Sequence, residues 1–140
     1  MKKGKRLIKT VLFVCVENSF RSQIAEVYFN KFAPDGWRAI SGGSRPAEKV
    51  HPNAVLLMHE EGIDISDKKP KALTFEMQTK VDAAVIVCGS AECPVVYVKD
   101  VEEWNVPDPR EMPLDEARKI RDLIKSKVLD YIKRLKFKTV

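Results

Sequence analysis

The 140-residue sequence has few cysteines and no long hydrophobic run. Its longest apolar stretches, such as Val81 to Val87, are far shorter than the ~20 residues that span a bilayer. The basic start of the chain is not followed by the apolar core and cleavage site of a signal peptide. Three cysteines without a secretory signal argue against structural disulfides and for reactive or buried thiols. We therefore expect a cytoplasmic protein with no membrane contact.

The sequence also lacks a concentrated basic surface, although its formal net charge is +5. Lysine and arginine are interleaved with aspartate and glutamate instead of clustering with aromatic residues that could stack on bases. Nucleic acid is therefore not an expected partner, whereas a mildly basic protein suits anionic substrates. The length fits one domain with its own core, so we predict a single, monomeric domain over residues 1–140, with residues 1–6 as a basic tail.

What the chain does contain is an alternation of apolar runs and amphipathic stretches. Strands are predicted at Leu7–Val14, Trp37–Ser41, Val81–Cys88 and Val95–Val101. Helices are predicted after Ser19 or Ser22, either of which could cap the first one, from His51, at Leu73–Met77 and from Pro113. Trp104–Met112 is predicted to be a proline-broken loop, with Trp104 packed as a lid over the edge of the sheet.

The predicted strands have no polar face, which is typical of parallel strands that are covered on both sides. We predict an α/β fold: a single-domain, doubly wound, four-stranded parallel sheet with helices on both faces and an anion-binding loop after the first strand. Ligands bind such sheets at the carboxyl ends of the strands. Cys15 and Cys88 both end strands, so we expect them at that edge.

Residues 15–22, Cys-Val-Glu-Asn-Ser-Phe-Arg-Ser, join the first strand to the first helix. A helix N-terminus and the nearby Arg21 favour the thiolate form of Cys15. The Arg21 guanidinium can bind two oxygens of a tetrahedral oxyanion, and backbone N–H groups can bind the others. The predicted oxyanion-binding residues are Val16, Glu17, Asn18, Ser19, Phe20 and Arg21. Ser22 can hydrogen-bond the thiolate, and a buried, inert cysteine beside a surface arginine is the disfavoured alternative.

This motif resembles the phosphate-binding loop of the low-molecular-weight protein tyrosine phosphatase superfamily, which includes the thioredoxin-coupled arsenate reductases. Further similar stretches are Ser41-Gly42-Gly43, His51-Pro52-Asn53-Ala54-Val55, Gly62-Ile63-Asp64-Ile65-Ser66 and Trp104 to Pro109. The resemblance implies that Cys15 is the nucleophile and that Arg21 clamps the oxyanion. It also implies that Ser22 stabilises the thiolate and that Asp108 is the general acid.

Two residues favour the reductase branch of that superfamily. Gln23 stands where the phosphatases usually carry proline, and Arg110 stands where they tend to place an aromatic residue. A reductase of this type needs three thiols, which implies a relay from Cys15 to Cys88 and then to Cys93, with thioredoxin as reductant and arsenate as substrate. Gly89 would give the connecting segment the freedom that thiol exchange needs.

Other readings of the same residues remain open. The main alternative is a phosphatase that hydrolyses phosphotyrosine or small phosphoesters through a Cys15 phosphoenzyme. A second is an oxyanion-binding redox sensor without turnover, and in a third Cys88 and Cys93 are inert thiols. Metal binding is not expected, because the Cys-x4-Cys pair has no second pair of ligands in the sequence.

Four further side chains near the loop carry weaker expectations. Asn18, Glu26 and Ser41 resemble the ligands of a potassium ion that some reductases bind, and loop-bracing hydrogen bonds are the alternative. No other cofactor is expected. Glu17 is unusual, because a carboxylate 4 Å from an oxyanion costs up to ~4 kcal/mol at an effective dielectric near 20. It should therefore point outward, or bind a cation or a partner.

Overall fold

The computed structural model describes residues 8–89 and 92–138, so the predicted tail at residues 1–6 lies outside the described part. Its elements are β1 (Lys9–Cys15), α1 (Arg21–Phe32), β2 (Trp37–Gly43), α2 (Pro52–His59), α3 (Phe75–Thr79), β3 (Ala83–Cys88), β4 (Val101–Asn105) and α4 (Leu114–Lys138). Among the described residues, no helix is both long and apolar enough to cross a membrane.

The four strands form one parallel sheet in the order β2-β1-β3-β4, which confirms the predicted architecture. Every residue of β3 is buried, because this strand and β1 lie in the centre of the sheet with both faces covered. The register places Val14 of β1 opposite Ile86 of β3. The carboxyl ends of the two central strands, which carry Cys15 and Cys88, therefore lie side by side.

The main core lies between the sheet and the long helices. Phe13 and Val85, from the central strands, pack in one cluster with Ile24 and Phe29 of α1 and with residues of α2 and α4. The predicted apolar stripe of the last helix is buried there: Ala117, Ile120, Ile124, Val128, Tyr131 and Leu135. The second face, with Leu12, Val14 and Ala84, is covered by Leu73, Met77 of α3 and Val96.

The predicted position of the fourth strand was wrong. The strand lies at Val101–Asn105, whereas residues 93–98 are irregular, with Val96 and Val98 packed on the sheet and Val95 and Tyr97 exposed. Only Trp104 of β4 is buried, because an edge strand presents one residue in two to the core. Its ring packs against Phe13 and Tyr131, so the predicted lid role was also wrong.

The predicted serine cap of the first helix was wrong as well. Helix α1 begins after Phe20, which makes no side-chain capping bond, and Ser22 lies inside the helix with its hydroxyl against Cys15. Strand β2 also runs two residues further than predicted, through Gly42 and Gly43. Ser22 contacts Cys15, and Gly43 packs against Val16 and Asn18, so both residues support the loop after β1.

Candidate active site

The loop between β1 and α1 turns its carbonyl oxygens away from the cavity beside it. Three backbone N–H groups donate to these oxygens: Arg45 to Val16 (2.8 Å), Ala47 to Glu17 (3.0 Å) and His51 to Ser19 (2.9 Å). Asn18 adopts the left-handed conformation, with φ of 52°. Peptide groups whose carbonyls point outward direct their N–H groups inward, which produces the amide cradle that a tetrahedral oxyanion requires.

Cys15 lies at the base of this cradle and is 3% exposed. Its sulfur is 2.8 Å from Ser22 Oγ and accepts a hydrogen bond from the Asn18 backbone N–H at 3.2 Å. Ser22 Oγ itself accepts from Asn18 Nδ2 at 2.7 Å, which leaves the serine hydroxyl hydrogen to point at the sulfur. Two hydrogen-bond donors therefore converge on the sulfur.

A chain of hydrogen bonds holds Asn18 in place from behind the loop. Its Nδ2 donates to Ser41 Oγ at 2.9 Å, and Ser41 Oγ donates to Glu26 Oε1 at 2.5 Å. Its Oδ1 accepts from Gln23 Nε2 at 3.0 Å and from the Lys71 backbone N–H at 2.8 Å. The loop-bracing role predicted for Asn18 is confirmed.

Arg21 and Asp108 lie side by side at the cavity above the cradle. Arg21 is 6% exposed, and its Nη1 donates to the Val106 carbonyl at 2.9 Å. Its Nη2 lies 3.9 Å from Asp108 Oδ2. The cavity has a volume of about 100 Å³, which suits one tetrahedral oxyanion, and its lining residues include Cys15, Arg21 and Asp108.

Gly43 is the point where β2 comes closest to the loop. A Cβ atom there would lie 2.6 Å from the Val16 carbonyl oxygen and 2.8 Å from the Asn18 backbone nitrogen. The Gly43→Ala variant should therefore displace the loop and lower the free energy of unfolding by about 1–3 kcal/mol. Denaturant titration measures that loss, and phosphate binding should weaken with it. Ser44→Ala, at the exposed neighbouring position, is the control, and unchanged phosphate affinity in Gly43→Ala would contradict the prediction.

A family model described as "Low molecular weight phosphotyrosine protein phosphatase" matches residues 10–140. The chain belongs to this family. It is similar to "Arsenate reductase 2" of Staphylococcus haemolyticus, with 37% identity over 124 residues that cover 86% of this chain and 93% of that protein.

Two solved structures, one of a reductase and one of a phosphatase, resemble this chain to the same degree. A thioredoxin-dependent arsenate reductase of Corynebacterium glutamicum is 29% identical with a TM-score of 0.78, and the match covers 96% of this chain and 65% of that one. A low molecular weight protein tyrosine phosphatase from T. tengcongensis is 27% identical with a TM-score of 0.79, over 90% of this chain and 99% of that one. Fold alone therefore does not separate reductase from phosphatase.

The three cysteines meet at the same edge of this family fold. Cys88 and Cys93 form a disulfide with Cα atoms 5.8 Å apart, and Cys15 is free. Cys88 is 1% exposed, whereas Cys93 is partly exposed. Gly89, after β3, packs closely against the end of β4, because a Cβ atom there would lie 2.6 Å from Asn105 Oδ1. Among the described residues, no group of three or more acidic, histidine or cysteine side chains could hold a metal ion.

The three residues predicted to hold potassium do lie together, but lysines already balance the carboxylate among them. Lys68 Nζ is 2.6 Å from Glu26 Oε2, and Lys71 Nζ is 3.6 Å from Glu26 Oε1. Glu26 is 6% exposed, so a second cation beside it would be repelled by charges that are only partly screened. These contacts do not fit a potassium ion and make Lys68 the counter-charge of Glu26. Neither lysine was singled out by the sequence analysis.

Exchange of potassium for sodium at constant ionic strength is therefore expected to change the turnover rate less than about twofold. In Lys68→Ala, Glu26 loses its close partner, and the rate should fall about tenfold, as for other residues that orient a site from behind. Potassium should partly restore that variant. Lys69→Ala removes an exposed neighbouring lysine and serves as control. A potassium-dependent wild type would contradict this assignment.

Glu17 and His51 each have a defined partner. Glu17 lines the cavity and pairs with Arg110, so the cation that was one of its predicted partners is a side chain of the same protein. His51 Nδ1 accepts a hydrogen bond from the Asn53 backbone N–H at 3.1 Å, so this histidine caps α2. Phe20 is buried and packs on the His51 ring. Arg110 was noted in the sequence only as the replacement of an aromatic residue.

Proposed function

We propose that the protein reduces arsenate to arsenite with Cys15, Cys88 and Cys93 acting in series and thioredoxin as the reductant. The observation that carries the proposal is the pairing of Cys88 with Cys93 at the end of the strand beside Cys15. Phosphoester hydrolysis would need neither of these two thiols. Similarity to proteins named arsenate reductase, one of them thioredoxin-dependent, supports the same reading.

The first step is attack of the Cys15 thiolate on arsenic. The amide cradle and Arg21 bind three of the arsenate oxygens and stabilise the charge on them. A sulfur–arsenic bond forms, the bond from arsenic to the fourth oxygen breaks, and that oxygen leaves as water after protonation. We assign the handling of this proton to Asp108, which faces the cavity beside Arg21.

The second and third steps move electrons through the thiols. The Cys88 thiolate attacks the Cys15 sulfur, the sulfur–arsenic bond breaks, and its electron pair reduces As(V) to As(III), which leaves as arsenite. Cys93 then attacks Cys88, and the Cys15 thiolate is released. The net result is one arsenate reduced to arsenite and water, with two thiols oxidised to the Cys88–Cys93 disulfide.

The geometry explains what has to move in the second step. Cys88 packs with Val16 and Ile86, whereas Val87 faces the main core, so alternation along β3 turns Cys88 away from α1. The Cys15 sulfur instead contacts Ser22 of α1. The register pairs Val14 with Ile86, so Cys88 lies one residue beyond the position level with Cys15. Attack on Cys15 therefore requires the end of β3 to rearrange, so that the Cys88 side chain turns to the face that carries the Cys15 sulfur.

The disulfide is open to attack on one of its two sulfurs. Cys88 is buried and Cys93 is partly exposed, so we propose that the reductant attacks Cys93 and releases Cys88. Thioredoxin supplies a dithiol of low reduction potential that suits this exchange. We further propose that the protein acts as a monomer in the cytoplasm, where thiols are kept reduced.

The direct test is a coupled assay with arsenate, thioredoxin, thioredoxin reductase and NADPH. The expected result is one NADPH consumed for each arsenite formed, with no consumption when thioredoxin is omitted. Mass spectrometry of initially reduced protein should find the Cys88–Cys93 disulfide only after arsenate is added. Free thiols throughout, together with no NADPH consumption, would exclude the relay.

A phosphatase is the second candidate, because the amide cradle and Arg21 would bind the phosphate group of a phosphoester as they bind arsenate. The phosphatase is distinguished from the reductase by hydrolysis of p-nitrophenyl phosphate that requires Cys15 and has an unchanged rate in Cys88→Ser. That result, combined with no arsenate reduction, would replace the first candidate by the second.

A further inference from the structure

Arg110 joins the two carboxylates at the mouth of the cradle. Its Nε donates to Asp108 Oδ2 at 2.8 Å, its backbone N–H donates to Asp108 Oδ1 at 3.1 Å, and its Nη1 pairs with Glu17. Both oxygens of Asp108 therefore accept hydrogen bonds from Arg110. Glu17 belongs to the loop and Asp108 to the segment after β4, so the guanidinium bridges the two sides of the cavity opening.

The charges around Asp108 keep its carboxyl ionised. Burial alone would raise the pKa of this group, but the hydrogen bonds from Arg110 and the charges of Arg21 and Arg110 outweigh it and lower the pKa. Glu17 lies on the far side of Arg110 and is paired with it. A general acid must carry a proton before the reaction begins, and this ionised carboxylate carries none.

We propose that Arg110 is the residue that restricts this site to oxyanions that carry their own hydroxyl groups, such as arsenate, and disfavours phosphoesters. It does so in two ways. Its side chain lies across the opening through which the organic group of an ester would leave. Its side chain also keeps Asp108 ionised, through its charge and its hydrogen bond to Oδ2, so this carboxyl has no proton to give to that group. The proposal rests on the proposed function only for naming arsenate as the accepted substrate.

The two reactions differ in where the leaving-group proton comes from. In ester hydrolysis the Cys15 thiolate attacks phosphorus, the bond to the alcohol oxygen breaks, and an alkoxide or phenolate leaves unless an acid protonates it. A doubly ionised phosphoester has no hydroxyl to supply that proton. Singly ionised arsenate carries two hydroxyls, so an ionised Asp108 can take the proton of one and pass it to the oxygen of the other, which then leaves as water. The Arg110 contacts therefore impair ester hydrolysis but still allow the loss of water from arsenate.

The test compares hydrolysis of two aryl phosphates by the wild type and Arg110→Ala. Phenolate leaves poorly without protonation, and nitrophenolate leaves readily, so a freed Asp108 acid should help phenyl phosphate more. We expect kcat/KM for phenyl phosphate to rise at least about tenfold, within the 10²–10⁴-fold range of general acid catalysis. The rise for p-nitrophenyl phosphate should be clearly smaller. A variant that only loosened the site would change both substrates alike.

Arg118→Ala is the matched control, because Arg118 has the same 37% exposed side chain and pairs with Glu60, the residue after α2, away from the cradle. It should leave both phosphatase rates unchanged. Thermal melting verifies folding, and Glu17→Gln, which removes one anchor of Arg110, should give a smaller gain of the same kind. If Arg110→Ala folds without a gain for phenyl phosphate, the proposal is wrong, and if it does not fold, Glu17→Gln decides. Arsenate reduction, measured separately, bears only on the proposed function.

Discussion

Replacement of Cys15 by serine is expected to abolish arsenate-dependent NADPH consumption, with a loss of at least about 1,000-fold, as for other enzymes that lose their nucleophile. The serine hydroxyl is not ionised at neutral pH, so the two donors that converge on the sulfur cannot produce an equivalent nucleophile. Serine also cannot form the disulfide that the second step requires. The coupled assay, with arsenite measured independently, records the loss.

The same variant should still bind oxyanions, which separates loss of chemistry from loss of structure. Arg21 and the backbone N–H groups are untouched by the substitution, and Ser22 keeps its bond from Asn18. Phosphate should therefore raise the melting temperature of Cys15→Ser about as much as that of the wild type. Residual arsenate reduction above a few per cent of the wild-type rate would show that another thiol can start the reaction.

Replacement of Cys88 by serine is expected to stop turnover just as completely, but at a later step. The variant can still form the sulfur–arsenic bond at Cys15, yet it has no thiolate at the end of β3 to release arsenite. No intramolecular disulfide should accumulate on addition of arsenate, and arsenite formation should fall at least about 1,000-fold, because a required nucleophile is missing. Mass spectrometry and arsenite measurement provide the two readouts.

Cys93→Ser is the matched comparison for this variant, because the two cysteines act at successive steps of the proposed relay. Reduced Cys93→Ser should complete one turnover, release one arsenite per protein and stop with a Cys15–Cys88 disulfide. Equal behaviour of the two variants, or turnover of Cys88→Ser at the wild-type rate, would contradict the order of steps proposed above.

The sheet could be predicted from the sequence, because its central strands carry an unambiguous signal. Every residue of β3 is buried, and a strand without a polar face can only lie in the middle of a covered sheet. The edge strand could not be found in this way. β4 buries only Trp104, whereas the irregular residues near Val96 carry a stronger apolar pattern because they cover the sheet from outside. Apolar content distinguishes buried from exposed, but not strand from covering loop.

The site was predictable where its residues are close in sequence and not where distant charges meet. The cradle is a local structure, so the spacing from Cys15 to Ser22 defined it. The ion pairs that complete the site join residues far apart in the chain, such as Lys68 with Glu26 and Arg110 with Glu17. Charged residues are common on every surface, and only the folded arrangement shows which of them are neighbours.

The lysine behind the loop has a consequence for the conditions under which the site is ordered. A diffusible ion occupies its site in proportion to its concentration, and each occupancy costs translational entropy. Lys68 is tethered to the carboxylate that it neutralises, so its effective concentration is set by the geometry of the chain. The entropy cost of placing the Lys68 charge beside Glu26 therefore arises once, when the chain folds. We therefore expect the arrangement of Asn18 and Ser22 around Cys15 to form without a bound monovalent cation.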